Sequence, residues 1–291
     1  MEPRTIVFDV SGVIDCKEEI GFTINQENCH VTIAGETSPG GIAVYNYRFF
    51  RIEDGAEQVI LRFLRFRGTR IHINNDPDGL AFGRSKDIIV DHCSVAGSCD
   101  ETISASRVEN VTVQWCGHDE SRKAESHRDF YDNNGQWHNY GGLYNWAQGV
   151  SVHHSLFTHH GKRNPLAKKE SYVEAVNNVV YNYSNAQQTF AVEGDGLKVL
   201  NCYFKTGPDR RKEPVPVRDD VIAVKGCISV EKDGSPGPPV PDAGDMCEMN
   251  LKAIDPAEAI YERVLTLAGA LPHDATSARM VHETRTGTGT Q

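Results

Sequence analysis

No stretch of eighteen consecutive apolar residues occurs in this 291-residue chain, so nothing in it reads as a helical membrane span. An excess of positive charge is also missing. Thirty lysines and arginines stand against 40 aspartates and glutamates, a formal charge of −10, which argues against nucleic acid as the main partner. There is no glycine-rich phosphate loop, no Gly-x-Ser-x-Gly elbow and no His-Glu-x-x-His helix. The eight cysteines include no Cys-x-x-Cys pair. Cys93 and Cys116, 23 residues apart, read as stacked thiols in a core rather than as a disulfide or a metal site. The amino terminus, Met-Glu-Pro-Arg, carries no charged-then-apolar export segment.

What is present is a repeat. Ile-Ile-Val-Asp-His-Cys at 88–93 recurs as Val-Thr-Val-Gln-Trp-Cys at 111–116 and Val-Ser-Val-His-His-Ser at 150–155. It recurs again as Val-Glu-Ala-Val-Asn-Asn at 173–178 and, more loosely, as Leu-Lys-Val-Leu-Asn-Cys at 197–202. Taking Val90, Val113, Val152, Val176 and Leu200 as equivalent gives steps of 23, 39, 24 and 24 residues. Each copy alternates apolar and polar residues as a half-buried strand does, then turns. No amphipathic helix separates the copies, which argues against a doubly wound α/β sheet. A period of this length means stacked units that bury a core only together. The expected fold is all-β: a right-handed, single-stranded parallel β-helix. Earlier strands at Thr5–Val10, Val31–Gly35 and Val59–Phe66 bring the count to about eight coils. The long step after Val113 leaves an excursion of about 15 residues, roughly 119–138, over the surface.

The repeat is expected to fill residues 1–207. Residues 208–291 read as a Pro- and Gly-rich loop, a short helix and a tail on the same domain. Asp255 reads as the N-cap of that helix, with Pro256 at its first position. Ala259, Ile260, Val264 and Leu267 form its buried face, Gly269 ends it, and Thr284–Gln291 are expected to be mobile.

Several clusters carry chemistry. Asp76 and Asp78 lie in Asn74-Asn-Asp-Pro-Asp-Gly79, and Asp100 and Glu101 in Ser98-Cys-Asp-Glu-Thr102. Asp78 and Asp100 are 22 residues apart, about one coil, so they can stack as neighbours. Stacked carboxylates repel unless a hard cation such as calcium lies between them; the plainer reading is turn residues capping a loop. Arg62, Arg65, Arg67 and Arg70 form one basic cluster and His159–Lys169 another. Composition alone makes both solvated surface charge, whereas together with the carboxylates they suit an acidic substrate. On a strand His153 and His154 point to opposite sides, which favours a structural ladder over a shared metal.

These segments resemble the pectate lyase family of secreted parallel β-helix polysaccharide lyases. The likeness runs nearly end to end, through Pro3–Ile14, Val31–Gly41, Val59–Arg67, Ile89–Ser94, Cys99–Thr102, Val150–Phe157, Arg163-Asn-Pro165 and Val264–Ala270. It implies an extracellular enzyme that cleaves polygalacturonate, or a related acidic polysaccharide, by calcium-assisted β-elimination. Carried over by motif, Arg163 is the base and Asp78 and Asp100 hold calcium, with Asp76 and Glu101 beside them. Lys168 stands where the family's second arginine does and would bind a substrate carboxylate as a point charge. Lys162, Lys123 and His138 are further candidate substrate contacts. Ser104 replaces a carboxylate found in some members. The family's amino-terminal cap is missing from the likeness, so the first coil is expected to be open to a partner chain or a second copy. Two other readings stay open: a β-helix glycoside hydrolase or depolymerase using a carboxylate pair, and a non-catalytic carbohydrate-binding relative.

Overall fold

The structure is a computed structural model that describes residues 2–17, 19–68, 78–98, 100–119, 139–183, 192–193, 196–209, 222–244, 249–251 and 254–290. The excursion at 120–138 falls outside them, as do Arg70, Asp76, Lys123 and His138.

Among the described residues, every strand pairs in parallel with the strand of the next coil, and the pairs build three sheets. The first and second sheets each hold nine strands and the third holds seven. Seven coils therefore carry all three strands, with partial coils beyond, against the expected eight. The winding is the right-handed β-helix that the repeat implied. One core runs along its axis from Cys16 to Cys227, closed only because the coils stack. Cys93 and Cys116 are fully buried free thiols in that core. At the amino-terminal end the strands Arg4–Val7 and Gly12–Asp15 are exposed along their length, including Val7 and Val13, as is Val10 between them.

The repeat marks the first sheet, with one slip. Val90 pairs with Val113 and Val113 with Val152, but Val152 pairs with Ala175, not Val176. Ala175 then pairs with Val199 rather than Leu200. A one-residue slip moves a side chain to the other face. Accordingly Ala175 and Val199 join the axial core, while Val176 and Leu200 lie outside it. The true landmark is the residue two positions after each core residue. Phe63, His92, Trp115, His154, Asn177 and Asn201 all turn the chain with φ between 48° and 54°.

This left-handed corner costs about 1 kcal/mol for an L-residue, but it aims each side chain outward at the inter-coil spacing. Phe63, His92, Trp115 and His154 stack there with centroids 4.6, 5.9 and 4.5 Å apart. His154 thus does not alternate with His153 as strand residues would. The two rings meet edge to face, Nδ1 to Nδ1 at 3.0 Å.

The helical stack runs past residue 207. Ile222–Lys225 and Ile228–Val230 add one more strand each to the first and second sheets. Two helices follow, not one. Helix α1 spans Ala257–Leu267 and buries Ile260, Val264 and Leu265 against Leu156 and Val179. Pro256, not Asp255, is its N-cap; the Asp255 carboxylate instead meets His154 at 3.2 Å and Arg263. Helix α2 spans Ala275–Thr286, capped by the Asp274 side chain on the Ser277 N–H and ended by left-handed Gly287. Thr284 is therefore buried in α2 rather than mobile, and the Thr288 carbonyl accepts a hydrogen bond from Tyr181.

Arg65 and Arg67, expected among solvated charges, are 5% and 6% exposed beneath this carboxyl-terminal segment. Arg65 donates to the Pro272 carbonyl, and Arg67 grips the Asp274 carboxylate at 2.8 Å. Removing one member of a buried ion pair strands the other. Arg67→Met is therefore expected to cost about 3 kcal/mol in urea unfolding. Combining it with Asp274→Asn should cost less than the two single changes added, because both break one network.

Candidate active site

The third sheet collects most of the candidate residues at or just before the starts of its strands. Glu101 opens the strand Glu101–Ser106 and pairs with Tyr140 of the next coil, which bridges to Lys162 in the one after. On the other side Ile103 pairs with Leu80, which sets Asp78, two residues before Leu80, beside Glu101. The Glu101 N–H donates to one Asp78 oxygen at 3.1 Å, and the Ser104 hydroxyl donates to the other. The coil spacing thus does bring Asp78 and Asp100 together. One carboxylate oxygen from each of Asp78, Asp100 and Glu101 lies within 4.8 Å of the others.

Burial first, then the negative charge of Asp100, pushes the Asp78 carboxyl up to about 7; Ser104, Arg163 and Arg51 pull the other way. Crowded acidic oxygens of this kind are a donor set for a hard cation, and these residues fit one. Ser104 does not add a carboxylate to them but hydrogen-bonds Asp78.

Arg163 reaches the cluster from two coils away. Its backbone is left-handed, with φ 63°, which throws the side chain back over the preceding coil. The guanidinium carbon sits 3.9 Å from the centroid of Tyr140, and Nη1 forms an ion pair with Glu101. Glu101 is 3% exposed and Tyr140 4%, so the pair lies on a desolvated floor. Gly141 makes this approach available: a Cβ there would collide with the Arg163 carbonyl. Behind it, the Thr102 hydroxyl donates to the Gly141 carbonyl at 2.7 Å and contacts Nδ1 of buried His118 at 2.9 Å. Lys162 also lies near the Tyr140 ring, Nζ 5.7 Å from the centroid. Lys168 ends the strand Leu166–Lys168, half-exposed and in register with Asn145.

Tyr140 is the residue the sequence did not reveal. It follows the excursion, whose length hides the register, and only the pairing with Glu101 shows that it belongs to this column. Glu101, expected as a metal neighbour, has a second role as the partner of Arg163.

Fold and site together define a parallel β-helix protein with an acidic and basic cluster on the outer face of one sheet. Comparison with known proteins narrows the class. Over 212 residues the chain is 34% identical to a probable pectate lyase C of Aspergillus flavus, an overlap of 71% of this chain and 45% of that protein. A second probable pectate lyase C, from Emericella nidulans, is 33% identical over 207 residues, 70% of this chain and 44% of its own. The chain thus spans less than half the length of these curated relatives.

Solved pectate lyases share the fold. The enzyme of Paenibacillus sp. 0602 superposes with TM-score 0.57 at 15% identity, covering 96% of this chain and 80% of the other. A variant of the Xanthomonas campestris enzyme gives 0.60 at 16%, covering 93% and 94%. At such identities the likeness is one of fold alone. No protein-family model matches the chain. The chain belongs to the pectate lyase family of parallel β-helix proteins.

Proposed function

We propose that the protein cleaves polygalacturonate, or a closely related acidic polysaccharide, by calcium-assisted β-elimination, with Arg163 as the base. The observation that carries this reading is the ion pair of Arg163 with Glu101, itself one of three clustered carboxylates. Asp78, Asp100 and Glu101 are the residues that would hold calcium. When bound, calcium supplies Lewis acidity to the uronate carboxylate, which makes the neighbouring C5–H more acidic. Arg163 takes the C5 proton, electrons move to form the C4–C5 double bond, and the glycosidic oxygen leaves from C4 and takes a proton from solvent water. Lys162 and Lys168 bind uronate carboxylates as point charges and hold the chain across the sheet. The ring of Tyr140 fixes the guanidinium plane and keeps water from one side of it.

A basic arginine needs a reason. Glu101 beside Arg163 favours the protonated guanidinium, which cannot accept a proton. If Glu101 were engaged in holding a cation, its carboxylate would do less to favour the protonated guanidinium. The base role and the metal requirement are therefore linked through Glu101.

A second reading rests on Asp78. A carboxyl raised to about 7, with a neighbouring carboxylate oxygen within 4.8 Å, is close to what a retaining glycosidase needs for its acid and nucleophile. Products decide between them. Incubated with polygalacturonate and calcium, the protein is expected to raise ultraviolet absorbance from unsaturated ends, and a chelator to stop it. New reducing ends without that absorbance would select hydrolysis. Neither product would overturn the enzymatic reading for this substrate.

A further inference from the structure

We propose that Arg51, carried on the ring of Phe49, binds an additional carboxylate of the acidic polysaccharide on the amino-terminal side of the cluster; this rests on the reading that the third sheet holds such a substrate. The outward positions of that sheet form a row along the helix axis. Arg51 pairs in register with Ala81, Ala81 with Ser104, Ser104 with Leu143 and Leu143 with Leu166. Arg51 is therefore two coils from Ser104, roughly 10 Å at the inter-strand spacing. Ser104 in turn is hydrogen-bonded to Asp78. The next row of outward positions runs Glu53, Gly83, Ser106, Asn145 and Lys168. On the two coils that carry the carboxylates, these rows hold Ala81, Gly83, Ser104 and Ser106. Such small side chains leave room for a polymer to lie over them.

Charge is laid out to match. Arg163, Lys162 and Lys168 stand on the carboxyl-terminal side of the cluster. Arg51 is a cation on the opposite side. A polyuronate lying along the axis carries a carboxylate on every sugar. With one carboxylate at the cluster and others at the lysines, the next one in the opposite direction meets Arg51.

The side chain is also prepared for this. Its guanidinium carbon lies 4.7 Å from the centroid of Phe49, and that ring covers the place a Cβ of Gly21 would take. Glu53 holds it from the other side at 3.9 Å. At 47% side-chain exposure, Arg51 stays accessible to a ligand. Guanidinium is suited to this task because its fork can engage a carboxylate bidentately.

The test uses Arg51→Gln, which keeps part of the stem that packs on Phe49, and Arg51→Lys. On polygalacturonate, Arg51→Gln is expected to raise KM about tenfold, as loss of one charge-assisted hydrogen bond does. The kcat should fall by less than KM rises, and Arg51→Lys should recover part of the loss. On an oligomer too short to reach from Lys168 to Arg51, variant and wild type should converge. A merely structural role would lower Tm and affect short and long substrates alike; either result overturns the proposal. Retardation in polygalacturonate gels, run on an Arg163→Ala background, reads binding without turnover. Equal retardation with and without the added Arg51→Gln change also overturns it. If wild type neither cleaves nor binds polygalacturonate, the functional reading fails separately. The same pair of proteins in alginate gels then decides whether Arg51 binds uronates at all: a loss of retardation keeps the proposal and equality ends it.

Discussion

Replacing Arg163 by Ala is expected to lower kcat on polygalacturonate by about 10²–10⁴-fold, the usual contribution of a positioned base. KM should change far less, because Lys162 and Lys168 remain to bind carboxylates. Arg163→Lys should not restore the rate. An ammonium placed on a shorter stem does not lie flat on Tyr140, where the guanidinium carbon now sits 3.9 Å from the ring centroid, and it cannot keep the same reach to Glu101. The fold should be unaffected by Arg163→Ala at its core, since the axial cluster does not include residue 163. Glu101 is the exception: its buried carboxylate loses its cation and should bind metal more readily. The check is steady-state kinetics together with calcium titration of both proteins. A variant within about threefold of wild type in kcat would be far below what a general base contributes, and would remove Arg163 from that role.

The course of the chain was legible because the repeat is a physical necessity of the fold. Val90, Val113 and Val152 are apolar at one spacing because they fill one layer of the axial core, and the pairs form as the spacing implies. The slip at Val176 arose because Ala175 and Val176 are both apolar, so hydrophobicity alone cannot say which faces in. The left-handed corner at Asn177 decides it, and such a corner is marked by no single residue type: Phe63, His92, Trp115 and Asn201 occupy it equally.

Other features were hidden by distance. Arg67 and Asp274 are 207 positions apart, so nothing local to either shows that one will bury the other. The same holds for α2, whose anchor is that ion pair together with the bond from Ser277 to Asp119 at 2.9 Å. The acidic cluster was legible because its members are one coil apart. Tyr140 was not, since the excursion before it breaks the repeat and hides the register in which the chain returns. Arg51 was missed for a different reason. The chain around it, Asn46-Tyr-Arg-Phe-Phe-Arg-Ile52, has no feature that distinguishes a cleft residue from solvated charge, and only its register with Ala81 places it.

Calcium is expected to stabilise the protein more at about pH 8 than at about pH 5, through Asp78. The sign follows from the direction of its shift. Burial and Asp100 raise the folded carboxyl from its ordinary 3.8 to about 7. Between those values the folded protein keeps a proton that the unfolded chain has released. Stability from this group is therefore greatest at the acid end and falls as pH rises through the window of about 4 to 7. Above it Asp78 is ionised in both states, and the fold bears a second negative charge beside Asp100 that Ser104, Arg163 and Arg51 offset only in part. A divalent cation binds only the ionised carboxylates, so below the window it must first displace the proton. The gain in Tm on adding calcium should thus be large at about pH 8, small at about pH 5 and abolished by a chelator. Asp78→Asn should weaken calcium at least about tenfold, as loss of a ligand-shell group does. It should also flatten the dependence of the calcium-induced gain on pH, because the proton that competed has gone. Calorimetry of both proteins across that range, with and without calcium, separates the outcomes. Equal gains at the two pH values in wild type would show that Asp78 is not the competing group. A variant with undiminished affinity would place the cation away from Asp78, and the proposed elimination site would lose its metal.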